Sequence, residues 1–234
     1  MNKVKLIKVI IVTITLSFLS TLYVVPASAI TLNSLKNSLK NPADLLKKKD
    51  SGSEKVDLKN AKTALMALFF ESSNNYLLAQ ELLLKAYGKN TEAAQVTEAI
   101  AYAKDSGVSD SKKLKNSMKV TTNASKSIET SMKDESFKLS AEGKANYAKS
   151  LPFLGKGILG TIKLRPETQS MITNIKSNPM NAITQIGGLS KIIPNIPGYI
   201  TTVTKTSKLV ISGAKAKKIE GADNLDSEMD ALAL

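Results

Sequence analysis

The chain contains no cysteine, no histidine and no tryptophan, and its single arginine, Arg165, stands among 32 lysines. Each absence removes a class of chemistry. Without cysteine there is no disulfide, no thiolate metal site and no residue to carry a lipoprotein anchor. Without histidine as well, the usual general base, the usual catalytic zinc ligand sets and the activated thiol are all gone. Asp, Glu, Lys, Ser and Tyr remain, but no carboxylate pair has the spacing of a catalytic dyad. Glu71 and Glu81 lie ten residues apart on one expected helix, which separates them by about 15 Å of rise and puts them on different faces. The sequence therefore nominates no catalytic residue, no cofactor-binding residue and no metal ligand, and it predicts a protein that is not an enzyme. Scarce arginine and an aromatic content of 5% also argue against nucleic acid as the partner, although the pI is near 9.7: base stacking and bidentate phosphate contacts need those residue types.

What is present begins with a three-part leader. Lys3, Lys5 and Lys8 precede an apolar run over residues 9–25, interrupted only by Thr and Ser, and Ala27-Ser28-Ala29 follows Pro26. This is the pattern of a secretory signal peptide over residues 1–29, with cleavage expected after Ala29; the competing reading is an uncleaved N-terminal anchor. Cleavage removes three lysines and no acid, leaving 30 basic and 20 acidic residues, a net charge of +10. The expected location is periplasmic or secreted. No later apolar run reaches the length of about twenty residues that spans a bilayer.

The rest of the chain is organised around one stretch, residues 57–87, closed by Gly88. Leu58, Ala61, Leu65, Leu68, Ser72, Tyr76, Ala79, Leu83 and Ala86 draw one helical stripe, and residues 64–70 are apolar nearly all round, so this helix must be covered on several sides. The fold class that follows is all-α, a multi-helix bundle built around this long central helix. Residues 30–55 read as an N-terminal arm and linker, ending in the apolar-free run KKKDSGSEK. Residues 56–220 read as the bundle domain and residues 221–234 as an acidic C-terminal tail, expected to be frayed. Lying back on the chain's own lysines is the tail's alternative.

Within the bundle the spacing predicts a second helix over residues 91–104, in an antiparallel hairpin with the first, and a third over residues 110–133. Helicity in the hydroxyl-rich run VTTNASKS depends on tertiary contacts. The second half is punctuated by proline and glycine, which predicts shorter helices over residues 141–150, 152–164, 166–177, 179–193 and 198–219, with Pro152, Pro166 and Pro179 each in a first turn. Expected core residues are Leu65, Leu68, Phe69, Tyr76, Leu83, Ile100, Leu154, Ile158, Met171, Ile175, Ile200 and Val210.

One motif invites a functional reading and fails it. Gly155-Lys156-Gly157-Ile158-Leu159-Gly160 has the letters of the dinucleotide-binding fingerprint, but no strand precedes it and no acid follows about twenty residues on to hold a ribose. The glycines are better explained by another helix approaching closely. Lysine clusters at residues 47–49, 112–115 and 215–218 each fit a solvated face. Taken with the net charge, they favour an anionic partner such as lipid head groups or envelope polymers. The function expected is thus an exported, non-enzymatic helical protein that binds another cell-envelope component, anionic or protein. A membrane-active or apolar-ligand-carrying protein is the alternative, suggested by the stretch MNAITQIGGLSKIIPNIPGYI at residues 180–200, which also reads as a buried hairpin. A carboxylate-dependent hydrolase ranks third.

Overall fold

The computed structural model describes residues 57–233; the signal peptide, the arm and the linker inferred above lie outside these residues. Among the described residues there are seven α-helices and no strand: α1 (Leu58–Ala86), α2 (Asn90–Lys104), α3 (Asp110–Lys133), α4 (Ala141–Ser177), α5 (Pro179–Ile186), α6 (Ile196–Ala216) and α7 (Asp226–Ala233). The protein is an all-α bundle with a long central helix. Asp57 starts α1 by accepting from the backbone N–H groups of Lys59 and Asn60, and Gly88, at φ 69°, turns the chain back into α2. The N–H of Leu58 donates to Gln185 Oε1 at 3.0 Å, which fastens the head of α1 to α5.

The central helix packs against α2, α3, α4 and α5, and Leu65, Met66, Phe69, Tyr76, Leu77, Leu83 and Leu84 are buried along it. Its closest partner is α4. Ser72 lies against Gly160, Tyr76 against Gly157, and the Ala86 carbonyl against Gly143, so the two helices run antiparallel. A Cβ on Gly157 would sit 3.1 Å from the Tyr76 backbone, and one on Gly160 would sit 2.7 Å from Ser72 Cβ. Gly157 and Gly160 of the 155–160 motif therefore let two backbones meet, and Gly155 makes room for Leu225. Ser72 Oγ uses the closeness to donate to the Gly157 carbonyl at 3.0 Å, 2.9 Å from Thr161 Oγ1.

Helix α3 runs unbroken through VTTNASKS, where Gln80 of α1 ties it to the central helix. Gln80 Nε2 donates to the Thr121 carbonyl at 3.0 Å and to Ser125 Oγ at 2.9 Å. Tyr147 reaches from α4 to α6, its hydroxyl donating to the Val210 carbonyl at 2.7 Å. Of the expected core residues only Ile175 differs: it is half-buried at the edge of the cluster, while the other eleven are buried.

The second half differs from the sequence reading in four places. The three helices expected over residues 141–177 are one helix of 37 residues that passes through Pro152 and Pro166. A proline inside a helix costs about 3 kcal/mol. A break at Pro152 would swing Leu154, Ile158 and Leu164, all buried, off α1, at about 1.5–3 kcal/mol for each. Continuity wins, and both prolines lie on the exposed face, where water can reach the carbonyls that lose a donor. The helix expected over residues 179–193 is α only to Ile186; Gly187, at φ 56°, ends it, and two 3-10 turns, Gly187–Lys191 and Ile193–Asn195, lead to α6. Helix α6 starts at Ile196 with Pro197 in its first turn and stops at Ala216, short of the expected Ile219. The tail is not frayed: the 3-10 turn Ala222–Leu225 and α7 pack back on the bundle, with Ala222 and Leu225 buried, Leu225 over Gly155, and Asp226 paired with Lys215.

Candidate functional site

Helices α4 and α6 each turn a stripe of mixed polar and apolar side chains toward the other. On α4 the stripe is Arg165, Thr168 and Gln169, at i, i+3 and i+4; on α6 it is Pro197, Ile200, Thr201, Thr204, Lys205 and Lys208, with the same three-then-four recurrence. Between them lies an open groove of about 570 Å³, in the size range of small-molecule sites. Its base includes the buried Thr168 and Ile200, and Arg165, Gln169, Thr201 and Lys205 are exposed at its rim.

The groove is basic. Arg165, Lys205 and Lys208 flank it, and among the described residues only Lys205 has an acidic partner, Glu129 of α3, at 3.0 Å. Thr206 Oγ1 also donates to Glu129, at 3.0 Å. Burial pushes the Glu129 carboxyl up, but the bonds from Lys205 and Thr206 outweigh it and hold the group below the usual carboxylate range. Glu129 is thus a fixed anion behind one of three cations.

Two hydroxyls of the groove wall are unusual. A threonine inside a helix commonly satisfies its hydroxyl on the carbonyl four residues back, and here Thr173, Thr184, Thr201 and Thr202 all do so. Thr168 Oγ1 and Thr204 Oγ1 are buried and have no hydrogen-bond partner among the described residues. A buried polar atom without a partner is costly, on the order of 1–3 kcal/mol. The other unpartnered hydroxyls, those of Tyr76, Tyr87, Ser117, Thr121, Tyr199 and Ser207, do not line the groove.

The features singled out in the sequence fall elsewhere. The 155–160 glycine motif is spent on helix packing. The lysines at 112–115 lie on the first turns of α3, Lys215 is taken by Asp226, and residues 47–49 lie outside the described residues. In the stretch 180–200 the apolar side chains of Ala182, Ile186, Leu189, Ile193, Ile196, Tyr199 and Ile200 are buried, which favours its buried reading, while the large apolar side chains of Met180, at 74% exposure, and Ile183, at 51%, project from α5. Among the described residues no group of three or more acids converges as metal ligands, and no helix is long and apolar enough to cross a membrane. The groove is not among the features singled out in the sequence, where Arg165 stands out only as the single arginine. The signal for it is the helical spacing of Thr201, Lys205 and Lys208, which puts two lysines on one face of α6.

No protein-family model matches the chain, and no curated protein or solved structure shows significant similarity to it.

Proposed function

We propose that the chain is an exported, non-enzymatic helical protein that binds an anionic component of the cell envelope, and that the groove between α4 and α6 is where it does so. The observation that carries this reading is the gathering of the only arginine with Lys205 and Lys208 around a concave surface opposed by one carboxylate. The mature net charge of +10 supports it by drawing anions to the surface. Export rests on residues 1–29, and sequencing the N-terminus of the fractionated protein tests it: Ile30 is the expected first residue, and intact Met1 in the membrane fraction would replace this reading with an anchored domain.

Co-sedimentation of the purified chain with phosphatidylglycerol and phosphatidylcholine vesicles tests the binding. Adhesion to the anionic vesicles alone, lost as salt is raised through a few hundred millimolar, is the expected result. Absence of any adhesion to anionic vesicles or anionic wall polymers would refute the reading. Met180 and Ile183, one helical turn apart and exposed, favour a second reading in which the protein contacts lipid peripherally; salt-resistant binding to both vesicle types would select it.

A further inference from the structure

We propose that the groove between α4 and α6 is a site for a terminal phosphomonoester, held by Arg165, Lys205 and Lys208 at its rim and by the hydroxyls of Thr168 and Thr204 below them. The proposal rests on the reading of the chain as a binder of anions and names the group bound.

Charge decides first. Three cations less the Glu129 carboxylate leave the groove with two positive charges, and a phosphomonoester carries about 1.5 to 2 negative charges at neutral pH. A carboxylate would leave one cation uncompensated. Donor geometry points the same way. A phosphomonoester has three terminal oxygens; the guanidinium fork of Arg165 can hold two of them, the lysine ammoniums act as point charges, and a threonine hydroxyl can donate to the third.

Depth then separates an end group from a chain. Thr168 is 1% exposed, so a ligand that reaches its hydroxyl must enter end-on, past the rim. A phosphodiester within a polymer is blocked on both sides and has two free oxygens. The two orphaned hydroxyls are the independent sign of a ligand. Their neighbours Thr201 and Thr202 are bonded to carbonyls four residues back, whereas Thr168 and Thr204 give up that bond, which leaves them as donors for a group bound between the helices. The same chemistry is offered by the head group of a phosphatidic-acid-like lipid and by a small soluble phosphate ester.

Titration calorimetry of the purified chain with inorganic phosphate and with glycerol 3-phosphate tests the site, using the wild type, R165Q and T168V. Arg165 is exposed, so R165Q should fold as the wild type does. In T168V a methyl replaces an unpartnered buried hydroxyl, so its melting temperature should be equal or higher. The expected result is saturable binding of both probes, weakened about tenfold or more by R165Q and by T168V, the loss expected when one hydrogen bond to a charged group is removed. Vesicles of phosphatidylcholine doped with phosphatidic acid then distinguish the sources: retention that depends on Arg165 and Thr168 indicates a lipid head group, and binding of the soluble esters alone indicates a small phosphate ester. Full phosphate affinity in T168V, or no binding of either probe by the wild type, would overturn the proposal. If the wild type still adheres to phosphatidylglycerol vesicles in that case, the broader anion-binding reading stands and only the phosphomonoester site falls. Should T168V lose stability, its hydroxyl is structural, and T204V takes its place in the same comparison.

Discussion

Replacing Gly160 by alanine is the sharpest test of the packing between α1 and α4. The added Cβ would stand 2.7 Å from Ser72 Cβ and 3.0 Å from Ser72 Cα, where carbon atoms in contact rest at about 3.5–4.0 Å. The nearest atoms belong to or adjoin the backbone of α1, so no rotamer change can clear them; the helices must separate locally. Overpacking of this kind costs about 1–3 kcal/mol. Separation also stretches the bonds of Ser72 Oγ to the Gly157 carbonyl and to Thr161 Oγ1, each worth about 1 kcal/mol. Against this, alanine is favoured over glycine in a helix interior by about 0.5–1 kcal/mol. The net is a loss on the order of 2 kcal/mol, or a fall in Tm of about 4–8 °C for a chain of this size. Two controls bracket it. Gly198, in the first turn of α6, has nothing within 4 Å of its Cβ position, so G198A should gain a few tenths of a kcal/mol up to about 1. Gly213 faces the terminal methyl of Met132, a flexible end that can move aside, so G213A should cost less than G160A. Urea unfolding of the three variants measures the ranking. The double variant S72G/G160A, which removes the Cβ that collides, should lose less than the two single variants summed. G160A as stable as the wild type would refute the close-approach reasoning.

Three further outcomes follow from burial. Leu68→Ala should cost about 2–5 kcal/mol in chemical denaturation, while Lys62→Ala should change stability little, since Lys62 is partly exposed and its pair with Asp110, at 3.9 Å, is a surface one; equal losses would mean that the face assignment of α1 is wrong. Burial pushes Tyr76 and Tyr87 up to about 12, and Tyr147 and Tyr199 higher still. An unfolded phenol ionises near about 10, so this stabilisation is complete below that pH and is lost as pH rises through the folded values; ultraviolet difference absorbance of the phenolates should rise together with the loss of helical circular dichroism, and early ionisation with helices intact would contradict the burial. Leu225→Ala removes the side chain that seats the tail over Gly155, so limited proteolysis should release the segment after residue 220 from this variant well before it does so from the wild type.

How much of this was legible in the sequence depends on which force set each feature. Helix α1 was readable from Asp57 to Gly88 because its stripe and its closing glycine agree. The close approach at Gly157 and Gly160 was readable once the fingerprint failed its context, since glycines inside a helical stretch need a packing reason. Continuity of α4 was not readable: prolines at 152 and 166 argue locally for helix starts, and only the burial of Leu154, Ile158 and Leu164 against α1 overrides them. The tail was misjudged for a related reason. Asp223, Asp226, Glu228 and Asp230 dominate its composition, whereas Ala222 and Leu225, three residues apart, decide its place. The groove was hidden because it belongs to neither α4 nor α6 alone; Arg165 and Lys205 lie 40 residues apart in sequence and meet only through antiparallel packing.

The distribution of acids gives the groove its standing among so many lysines. Asp226 engages Lys215 and, with Asp223 and Asp230 nearby, holds that ammonium above its ordinary pKa, so the tail takes up one lysine of the 215–218 cluster. Glu81 lies on Lys85 and Asp110 near Lys62. Such exposed pairs add little to stability, but each lowers the positive potential where it lies. On α4 the only acid near Arg165 is Glu167, two residues on and therefore on a different face of the helix. A solvated lysine face has no need of a guanidinium, of a concave floor or of buried hydroxyls left without partners, and the cost of those hydroxyls is borne at a place where three cations converge. Those three features coincide at the α4–α6 groove, and a bound anion that accepts from Thr168 and Thr204 accounts for all of them at once.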